Sequence, residues 1–576
     1  MSTTPIEPLE SSGEDRPGSV RGLLRTGLPR PRLGWMWWLP VALGGVYAVL
    51  ILTHLRTIVD SIGLSSDSDI DAVLAHMGMH APAGALLTTG DYPHYETMAF
   101  TLLTRSLPFY RDLWVLAPVF FGLVGFGAVI WSAWRAFGRW PAAVVAAVLV
   151  CFGGGLVTLK TGGLATIFAM DAHANSLITA AVVGAGLVWV VPRIGALSDV
   201  RLVAAAVVLG VLGGLPLAGD TLYLAWGVAP LALVTLLAAW RGPQDGALRV
   251  IAFGAGTLLA TGLTAVLFGS IMHAAGVRDF AWSYRGFTHL AGPRQLGVNL
   301  QTLLRALPSL TAGSFYGQRA DSRTELELAS AVLLFAALIG GVWSVRRRVA
   351  NALPRPDGGG EVVGARFVHT VFWVTVLAAG IAVFMIGTPN PVTTTGRYLL
   401  GPYVAVAALL PLMLERGPGW RLAVTAGASL FIFSAIYQWS SGLRQLPAGF
   451  QPASTARELA AFAKREHVSV GYGSYWNSLN YTWESGFKVA VFPIQRCKTD
   501  PDELCTFSEI SISSWDRPHA GVARSMLVTD PTDIQVHTRA PQFGKPLTSA
   551  HIGDLIVYVY PYDIATRLRY EAGLTL

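Results

Sequence analysis

Charged residues are scarce in this sequence. Asp, Glu, Lys and Arg make up 13% of the 576 residues, whereas 52% are hydrophobic. So small a charged fraction, together with long apolar runs, is typical of a polytopic membrane protein and not of a soluble domain. The net charge of +7 does not indicate nucleic-acid binding, because most arginines outside the long loops lie where membrane topology requires them.

Cysteine is also rare, with three residues in the chain. Cys151 lies inside an apolar run, and Cys497 and Cys505 enclose the segment KTDPDEL. A metal pair would need further Cys or His residues nearby, whereas an oxidising exterior favours a disulfide that closes this short loop. We therefore predict a disulfide between Cys497 and Cys505.

A cleavable signal peptide is not recognisable in the sequence. The first apolar run starts late, is too long, and lacks a small-residue cleavage pattern after it. Residues 1–35 are instead rich in Pro, Gly, Ser and charge, and we expect a disordered cytoplasmic tail there.

Apolar runs long enough to cross about 30 Å of hydrocarbon predict about eleven membrane spans between residues 36 and 438. They are Met36–His54, Leu113–Trp134, Pro141–Leu159, Asn175–Val191, Leu202–Ala218, Thr221–Trp240, Ile251–Met272, Leu328–Val345, Phe367–Ile386, Leu399–Leu414 and Leu422–Gln438. Only Gly219 and Asp220 separate the fifth run from the sixth, which predicts a tight helical hairpin. The runs contain essentially no ionisable residues, which argues against an ion-coupled transporter.

Arginines gather in the N-terminal tail and in alternate short connections. The connections that carry them include Arg135/Arg139, Arg193/Arg201, Arg241/Arg249, Arg346–Arg348 and Arg416/Arg421. The positive-inside rule makes these connections cytoplasmic. The loops 55–112 and 273–327 and the C-terminal residues 439–576 are then on the outer side.

The outer residues 439–576 are numerous enough to form a domain. STARELAAFAKRE has helical spacing, and HVSVGYG, KVAVFPI, EISISSW, SMLVTD and DLIVYVYPY have strand-like patterns, so we predict a small α/β domain. Gly471 and Gly473 lack the third glycine of a dinucleotide fingerprint, and we interpret them as a turn at the sheet edge. Trp476, one of several aromatic residues nearby, suits stacking on a sugar ring, although packing onto the membrane helices is the alternative.

Three aspartates alternate in SSDSDID, shortly beyond the first predicted span. Asp67, Asp69 and Asp71 fit a solvated loop or the start of a helix over DAVLAHMGM. The same loop continues with YETMAFTLLTRSLPFYRDLW, whose amphipathic pattern suits a helix in the membrane interface. We therefore expect the loop that holds these carboxylates to be ordered.

This layout resembles the GT-C superfamily of membrane glycosyltransferases. It combines a cytoplasmic N-terminus, about eleven spans, a long acidic first outer loop and an outer C-terminal domain. TTTGRYLLGPYVAVAALLPL and GDTLYLAWGVAP are similar to segments of actinobacterial members. The resemblance implies a hexosyl- or pentosyltransferase of the bacterial plasma membrane. Such an enzyme takes its sugar from a polyprenyl-phosphate donor and passes it to a cell-envelope glycan or glycolipid.

The resemblance also implies roles for particular residues. An Asp of the first outer loop is the base in the superfamily, so Asp67 takes this role, with Asp69 as second choice or as a ligand of Mg²⁺ or Mn²⁺. Arg397, at the outer start of a span, suits the leaving phosphate, although an interfacial snorkelling arginine is the alternative. Lys160 and Arg285 are further candidates for the phosphate.

Other polar residues at the outer ends of spans are candidates for contact with the acceptor or the sugar. Asp220 and His173 stand beside predicted helix starts, where capping or a purely structural role is the alternative. His94 and Glu96 lie in the first outer loop, where a solvated helix face is the alternative.

Two other functions remain open from the sequence. One is a ligase or polymerase that uses lipid-diphosphate glycans, as O-antigen enzymes do. The other is a membrane protein without enzymatic activity that binds glycan or assists envelope assembly. The carboxylate of Asp67 would be essential only in a transferase.

Overall fold

The computed structural model describes residues 38–53, 73–74, 76–78, 87–89, 103, 107, 110–151, 173–241, 244–279, 290–310, 325, 328–329, 332, 363–387, 399–414, 418–445, 454–497, 499–507, 511–515 and 517–569. These residues form a bundle of apolar helices followed by a domain built on a mixed β-sheet. The prediction of a helical polytopic membrane protein with a C-terminal α/β domain is confirmed.

The long apolar runs form helices because a helix satisfies every backbone polar group within the hydrocarbon. Their bounds are α1 Trp38–Thr53, α2 Tyr110–Phe137, α3 Arg139–Val150, α4 Ala174–Val190, α5 Asp199–Leu217, α6 Ala229–Arg241, α7 Gln244–Ala274, α9 Ala365–Ile386, α10 Leu400–Leu414 and α11 Pro418–Gln445. The remaining helix, α8 Pro293–Leu310, is amphipathic and lies in the loop 273–327 between predicted spans. Among the described residues, seven helical segments are long and apolar enough to cross a membrane, and α1, α3 and α10 are shorter apolar helices. The predicted span Leu328–Val345 lies outside the described residues except at positions 328, 329 and 332.

The tight hairpin between the fifth and sixth spans is present. Helix α5 ends at Leu217, and a π-helical turn, Leu224–Val228, leads directly into α6. The short connection holds Asp220, whose backbone N–H donates to the carbonyl of Pro216 at 2.8 Å.

The tail domain, residues 454–569, begins with α12 (Ser454–Arg465) and contains α13 (Leu479–Glu484) and α14 (Ile534–His537). Its strands are β3 Val470–Ser474, β4 Ala490–Arg496, β5 Leu504–Thr506, β7 Ser525–Thr529, β8 Thr548–Ile552 and β9 Leu555–Tyr560, in the order β5-β4-β3-β7-β9-β8. The strand β3 is parallel to β4 and β7, and the remaining pairs are antiparallel.

The two faces of this sheet pack against different partners. Leu459 and Phe462 of α12 cover the face that bears Val491 and Val528. The opposite face, which carries Tyr472, packs in one buried cluster with Val73 and Leu74 of the first outer loop and with Met272 and Val277 at the end of α7. The tail domain therefore lies at the same end of the helices as both loops.

A second, three-stranded sheet joins these loops to the tail domain. β1 (Leu87–Thr89) pairs in parallel with β2 (Val277–Asp279) and antiparallel with β6 (Ser511–Ile512). The segment EISISSW, which has a strand-like pattern, contains β6. This strand pairs with β1 of the first outer loop and not with the six-stranded sheet of the tail domain. An alternating pattern predicts a strand, but it does not specify which strand it pairs with.

The prediction that Gly471 and Gly473 form a turn at the sheet edge is wrong. Both lie in β3, an interior strand of the six-stranded sheet. A Cβ on Gly473 would lie 2.6 Å from the carbonyl oxygen of Asn477, and one on Gly471 would lie 3.0 Å from Met526 Cε. These glycines serve close packing of the backbone on the α12 side of the sheet.

Arginines cluster at the opposite end of the helices. Arg249 donates to the carbonyl of Leu197 and to Asp199, both at 2.7 Å, and the guanidinium of Arg366 lies 5.2 Å from the ring of Phe137. The end that holds these arginines is therefore distinct from the end that holds the tail domain. The assignment of the arginine end to the cytoplasm stays a prediction from the positive-inside rule.

Candidate functional site

His173 directly precedes α4 and has an unusual backbone. Its φ is 31° and its ψ is 5°, in the left-handed region, which costs a residue other than glycine roughly 1–2 kcal/mol. Its carbonyl accepts the backbone N–H of Leu177 at 3.2 Å, and its side chain is 4% exposed. Such a conformation persists only where surrounding contacts hold it, and it is common at functional sites.

Asp220 supplies the main contact to His173. Its Oδ1 lies 3.0 Å from Nδ1 of His173 and accepts the backbone N–H of Leu222 at 2.9 Å. Its Oδ2 accepts the hydroxyl of Ser176 at 2.5 Å. One buried carboxylate thus links the start of α4 to the connection after α5.

This environment sets the charge of the carboxylate. Burial of Asp220 would by itself raise the pKa of its carboxyl group, but the charge and hydrogen bond of His173, with the hydrogen bonds from Ser176 and Leu222, outweigh burial and lower that pKa. An ionised Asp220 favours a proton on Nδ1 of His173 and fixes the ring orientation. Nε2 then lies on the side of the imidazole away from the carboxylate.

Trp226 lies next to the side chain of His173. Its indole meets the His173 ring edge-on, with ring centroids 6.1 Å apart, and it belongs to the π-helical turn Leu224–Val228. Such turns are often found at functional sites. A Cβ on Gly401 of α10 would lie 2.6 Å from Trp226 Nε1, so α10 approaches closely here.

Arg397 lies outside the described residues, four positions before Gly401 of α10 in the sequence. Ala218, two residues before Asp220, packs against the buried cluster beneath the tail domain. The histidine pair is therefore at the tail-domain end of the helices.

Most of the remaining predicted site residues lie outside the described residues. They are Asp67, Asp69, His94, Glu96, Lys160, Arg285 and Arg397. Trp476 is described and is 53% exposed, with its ring 5.0 Å from that of Tyr475. Two neighbouring aromatic residues, Tyr472 and Trp483, are instead buried in the core of the tail domain.

The described part of the chain contains no group of three or more His, Cys, Asp or Glu residues that could hold a metal ion. Both oxygens of Asp220 accept hydrogen bonds from the protein. The use of Mg²⁺ or Mn²⁺ through Asp69 stays a prediction. A disulfide joins Cys497 and Cys505, the pairing that the sequence predicts.

Ser176 was not predicted as a site residue, and it is buried against Asp220. The signal in the sequence was its position three residues after His173.

A second histidine–carboxylate cluster, in the tail domain, was also missed. Asp563 accepts the hydroxyl of Tyr472 at 2.6 Å and the backbone N–H of His519 at 2.7 Å, and it lies 3.1 Å from His519 Nδ1. Burial opposes ionisation, but the hydrogen bonds from His519, Tyr472 and Ala565 lower the pKa of Asp563 to about 2. These residues are far apart in the sequence, and no local pattern links them.

The overall layout is similar to that of solved membrane proteins. One is ArnT from Cupriavidus metallidurans bound to undecaprenyl phosphate, with 12% identity and a TM-score of 0.48 over 89% of this chain and 98% of that chain. The apo structure of the same protein has 14% identity and a TM-score of 0.39 over 92% and 99% of the two chains. No protein-family model and no curated protein matches this chain. At these identities and TM-scores the likeness does not by itself assign a function.

Proposed function

We propose that this protein is a membrane glycosyltransferase of the GT-C type. It transfers a sugar from a polyprenyl phosphate to a cell-envelope glycan or glycolipid at the outer face of a bacterial membrane. The observation that carries the proposal is the buried pair His173–Asp220. It lies at the tail-domain end of the helices, beside the π-helical turn and close to the helix that follows Arg397.

The reaction needs two groups of opposite character. A base removes the proton of the acceptor hydroxyl while that oxygen bonds to the anomeric carbon, and the bond from this carbon to the phosphate oxygen breaks. Negative charge then grows on the departing polyprenyl phosphate and requires cationic partners. Asp67 is the proposed base, and Asp69 is the alternative base or the metal ligand.

The phosphate is the proposed partner of Arg397 and His173. Arg397 would bind two phosphate oxygens through its guanidinium fork. With both ring nitrogens protonated, His173, held by Asp220, would donate to a further oxygen from Nε2. Asp220 acts through His173 and is therefore a positioning residue. Lys160 and Arg285 are the further candidates for this role.

The acceptor is proposed to approach from the aqueous side, along the tail domain. In the tail domain, Trp476 is largely exposed and has a neighbouring ring, Tyr475, and a glycan ring could stack on it. His94 and Glu96 of the first outer loop are proposed to contact the same acceptor.

The test is sugar transfer by purified protein in nanodiscs. The donors are a panel of polyprenyl-phosphate sugars, and the acceptor is a crude envelope glycan. Undecaprenyl phosphate, which is bound in one of the similar crystal structures, is the probe for lipid binding. We expect transfer by the wild type and a loss of several orders of magnitude in Asp67→Asn.

Asp71→Asn is the matched control, because it removes another carboxylate of the same motif and should retain activity. Turnover of lipid-diphosphate glycans alone would indicate a ligase or polymerase instead. If no donor is turned over and undecaprenyl phosphate does not bind, the protein is not a transferase, and glycan recognition becomes the function to pursue.

A further inference from the structure

The segment that follows the acidic motif is fixed to the tail domain by an aromatic contact. The ring of His76 stacks on Phe487, with centroids 3.9 Å apart and an interplanar angle of 24°. Val73 and Leu74, just before it in the chain, are fully buried in the cluster that contains Trp483. The chain that carries Asp67 and Asp69 therefore leads directly into a contact with the tail domain.

Phe487 occupies a backbone conformation that disfavours it. Its φ is 59°, and it follows Gly486 with a φ of 67°. The N–H of Phe487 donates to the carbonyl of Thr482 at 3.0 Å, which ends α13. Gly486 takes the left-handed position at this helix end, where glycine is usual, and Phe487 continues in a left-handed φ one residue further on. A phenylalanine that stays in this strained position points to a role for its ring.

The ring of Phe487 has two partners. One face stacks on His76, and the ring of Trp483 meets it edge-on, with centroids 5.8 Å apart. Trp483 itself is buried in the tail-domain core. Phe487 thus connects the rigid core of one domain to the loop that carries the proposed base.

A second attachment lies further along the same loop. In the sheet of β1, β2 and β6, Leu87 faces Ile512 and Thr88 faces Ser511. The described part of the first outer loop is therefore held to the tail domain by the burial of Val73 and Leu74, by the His76–Phe487 stack and by the β1–β6 pair.

We infer, on the basis of the proposed function, that His76 and Phe487 are positioning residues that set the catalytic geometry of the acidic motif through the tail domain. Their contact holds the chain that follows the motif, and neither residue is proposed to touch substrate. Loss of the Phe487 ring therefore lowers turnover and leaves binding of the donor lipid unchanged.

Four variants of the full-length protein in nanodiscs test this inference. We expect His76→Ala and Phe487→Ala each to lower kcat by about tenfold to hundredfold, because small displacements of catalytic groups have effects of this size. Phe487→Tyr keeps an aromatic ring that can stack on His76 and should have the kcat of the wild type. Lys488→Ala, at the exposed neighbour of Phe487, is the control and should have wild-type turnover. Binding of undecaprenyl phosphate should be equal in all four.

Phe487→Gly separates positioning from stability. Both Gly and Ala remove the ring, but only Gly relieves the left-handed strain. We therefore expect Phe487→Gly to melt at a higher temperature than Phe487→Ala and to have the same low kcat. Wild-type turnover in Phe487→Gly would overturn the inference.

A cross-link tests the attachment independently of any activity. Thr88→Cys and Ser511→Cys place two thiols on facing residues of β1 and β6. We expect rapid disulfide formation in this background and a several-fold lower early yield when His76→Ala or Phe487→Ala is added. An unchanged yield in both would overturn the inference. If the wild type transfers no sugar but the yield still falls, the proposed function fails and the attachment stands.

Discussion

Nδ1 of His173 lies 3.0 Å from Oδ1 of Asp220, and this contact joins the strained start of α4 to the connection that follows α5. Ser176 completes the cluster through its hydroxyl. All three side chains are buried, so the carboxylate has little access to water.

Removal of Asp220 should destabilise the protein and impair transfer together. We expect Asp220→Ala to lower the free energy of unfolding by about 3–5 kcal/mol, because it breaks a buried pair and leaves His173 without its partner. The measurement is thermal unfolding in nanodiscs, with sugar transfer assayed below the transition.

Asp199→Ala is the control for this prediction. Asp199 begins α5 and pairs with Arg249, but its side chain is 90% exposed. An exposed pair contributes about 1 kcal/mol or less. Equal destabilisation by the two variants would contradict the importance of the His173–Asp220 contact.

The close approach of α10 to Trp226 predicts a steric effect. In Gly401→Ala the new methyl group would lie 2.6 Å from Trp226 Nε1, and such overpacking costs about 1–3 kcal/mol. Gly262→Ala in α7, where a Cβ meets no atom within 4 Å, should be neutral or stabilising by up to about 1 kcal/mol. A lower melting temperature for Gly262→Ala than for Gly401→Ala would show that this packing is wrong.

The membrane helices could be predicted because their signal is one-dimensional. A run of about 20 apolar residues has few alternatives to a spanning helix, and α4, α5, α7 and α9 coincide with predicted runs. The tail domain was harder, since strand pairing depends on distant segments. β5 and β8 were not predicted, and β6 pairs with β1 of the first outer loop and not with the tail sheet.

In the candidate site, too, single residues could be predicted from the sequence but their contacts could not. His173 and Asp220 drew attention because each is a lone ionisable group beside an apolar run, but their contact depends on how α4 and α5 pack. No comparable sequence pattern indicated the pair of His519 and Asp563. Its members come from separate loops of a polar domain, where histidine and aspartate are ordinary residues, and only the fold brings them within 3.1 Å.

The Cys497–Cys505 disulfide predicts a redox-dependent stability of the tail domain. The two cysteines are separated by 8 positions, and closure of so short a loop contributes about 2–3 kcal/mol. A reducing agent should lower the melting temperature of the wild type and leave that of the Cys497→Ser/Cys505→Ser protein unchanged. Cys151 is buried in the helical module, so an equal response of both proteins would contradict the prediction.

The low pKa of Asp563 predicts an acid-labile tail domain. Its carboxyl group has a pKa of about 2 in the folded protein, against an ordinary value of 3.8. The folded state therefore binds a proton less readily than the unfolded state. The resulting stabilisation, on the order of 2 kcal/mol, is complete above pH 3.8 and disappears as the pH falls to about 2. The wild type should lose this stability over that interval, as measured by unfolding of the full-length protein.

Asp563→Asn isolates this contribution from that of other carboxylates. The amide does not titrate, so the difference in unfolding free energy between wild type and variant should shrink as the pH falls from 3.8 toward 2. At neutral pH the variant should be the less stable protein, because the side chain of Asp563 is 4% exposed and accepts hydrogen bonds from Tyr472, His519 and Ala565. A difference that stays constant over this interval would show that Asp563 has an ordinary pKa and that its contacts with His519 and Tyr472 do not form.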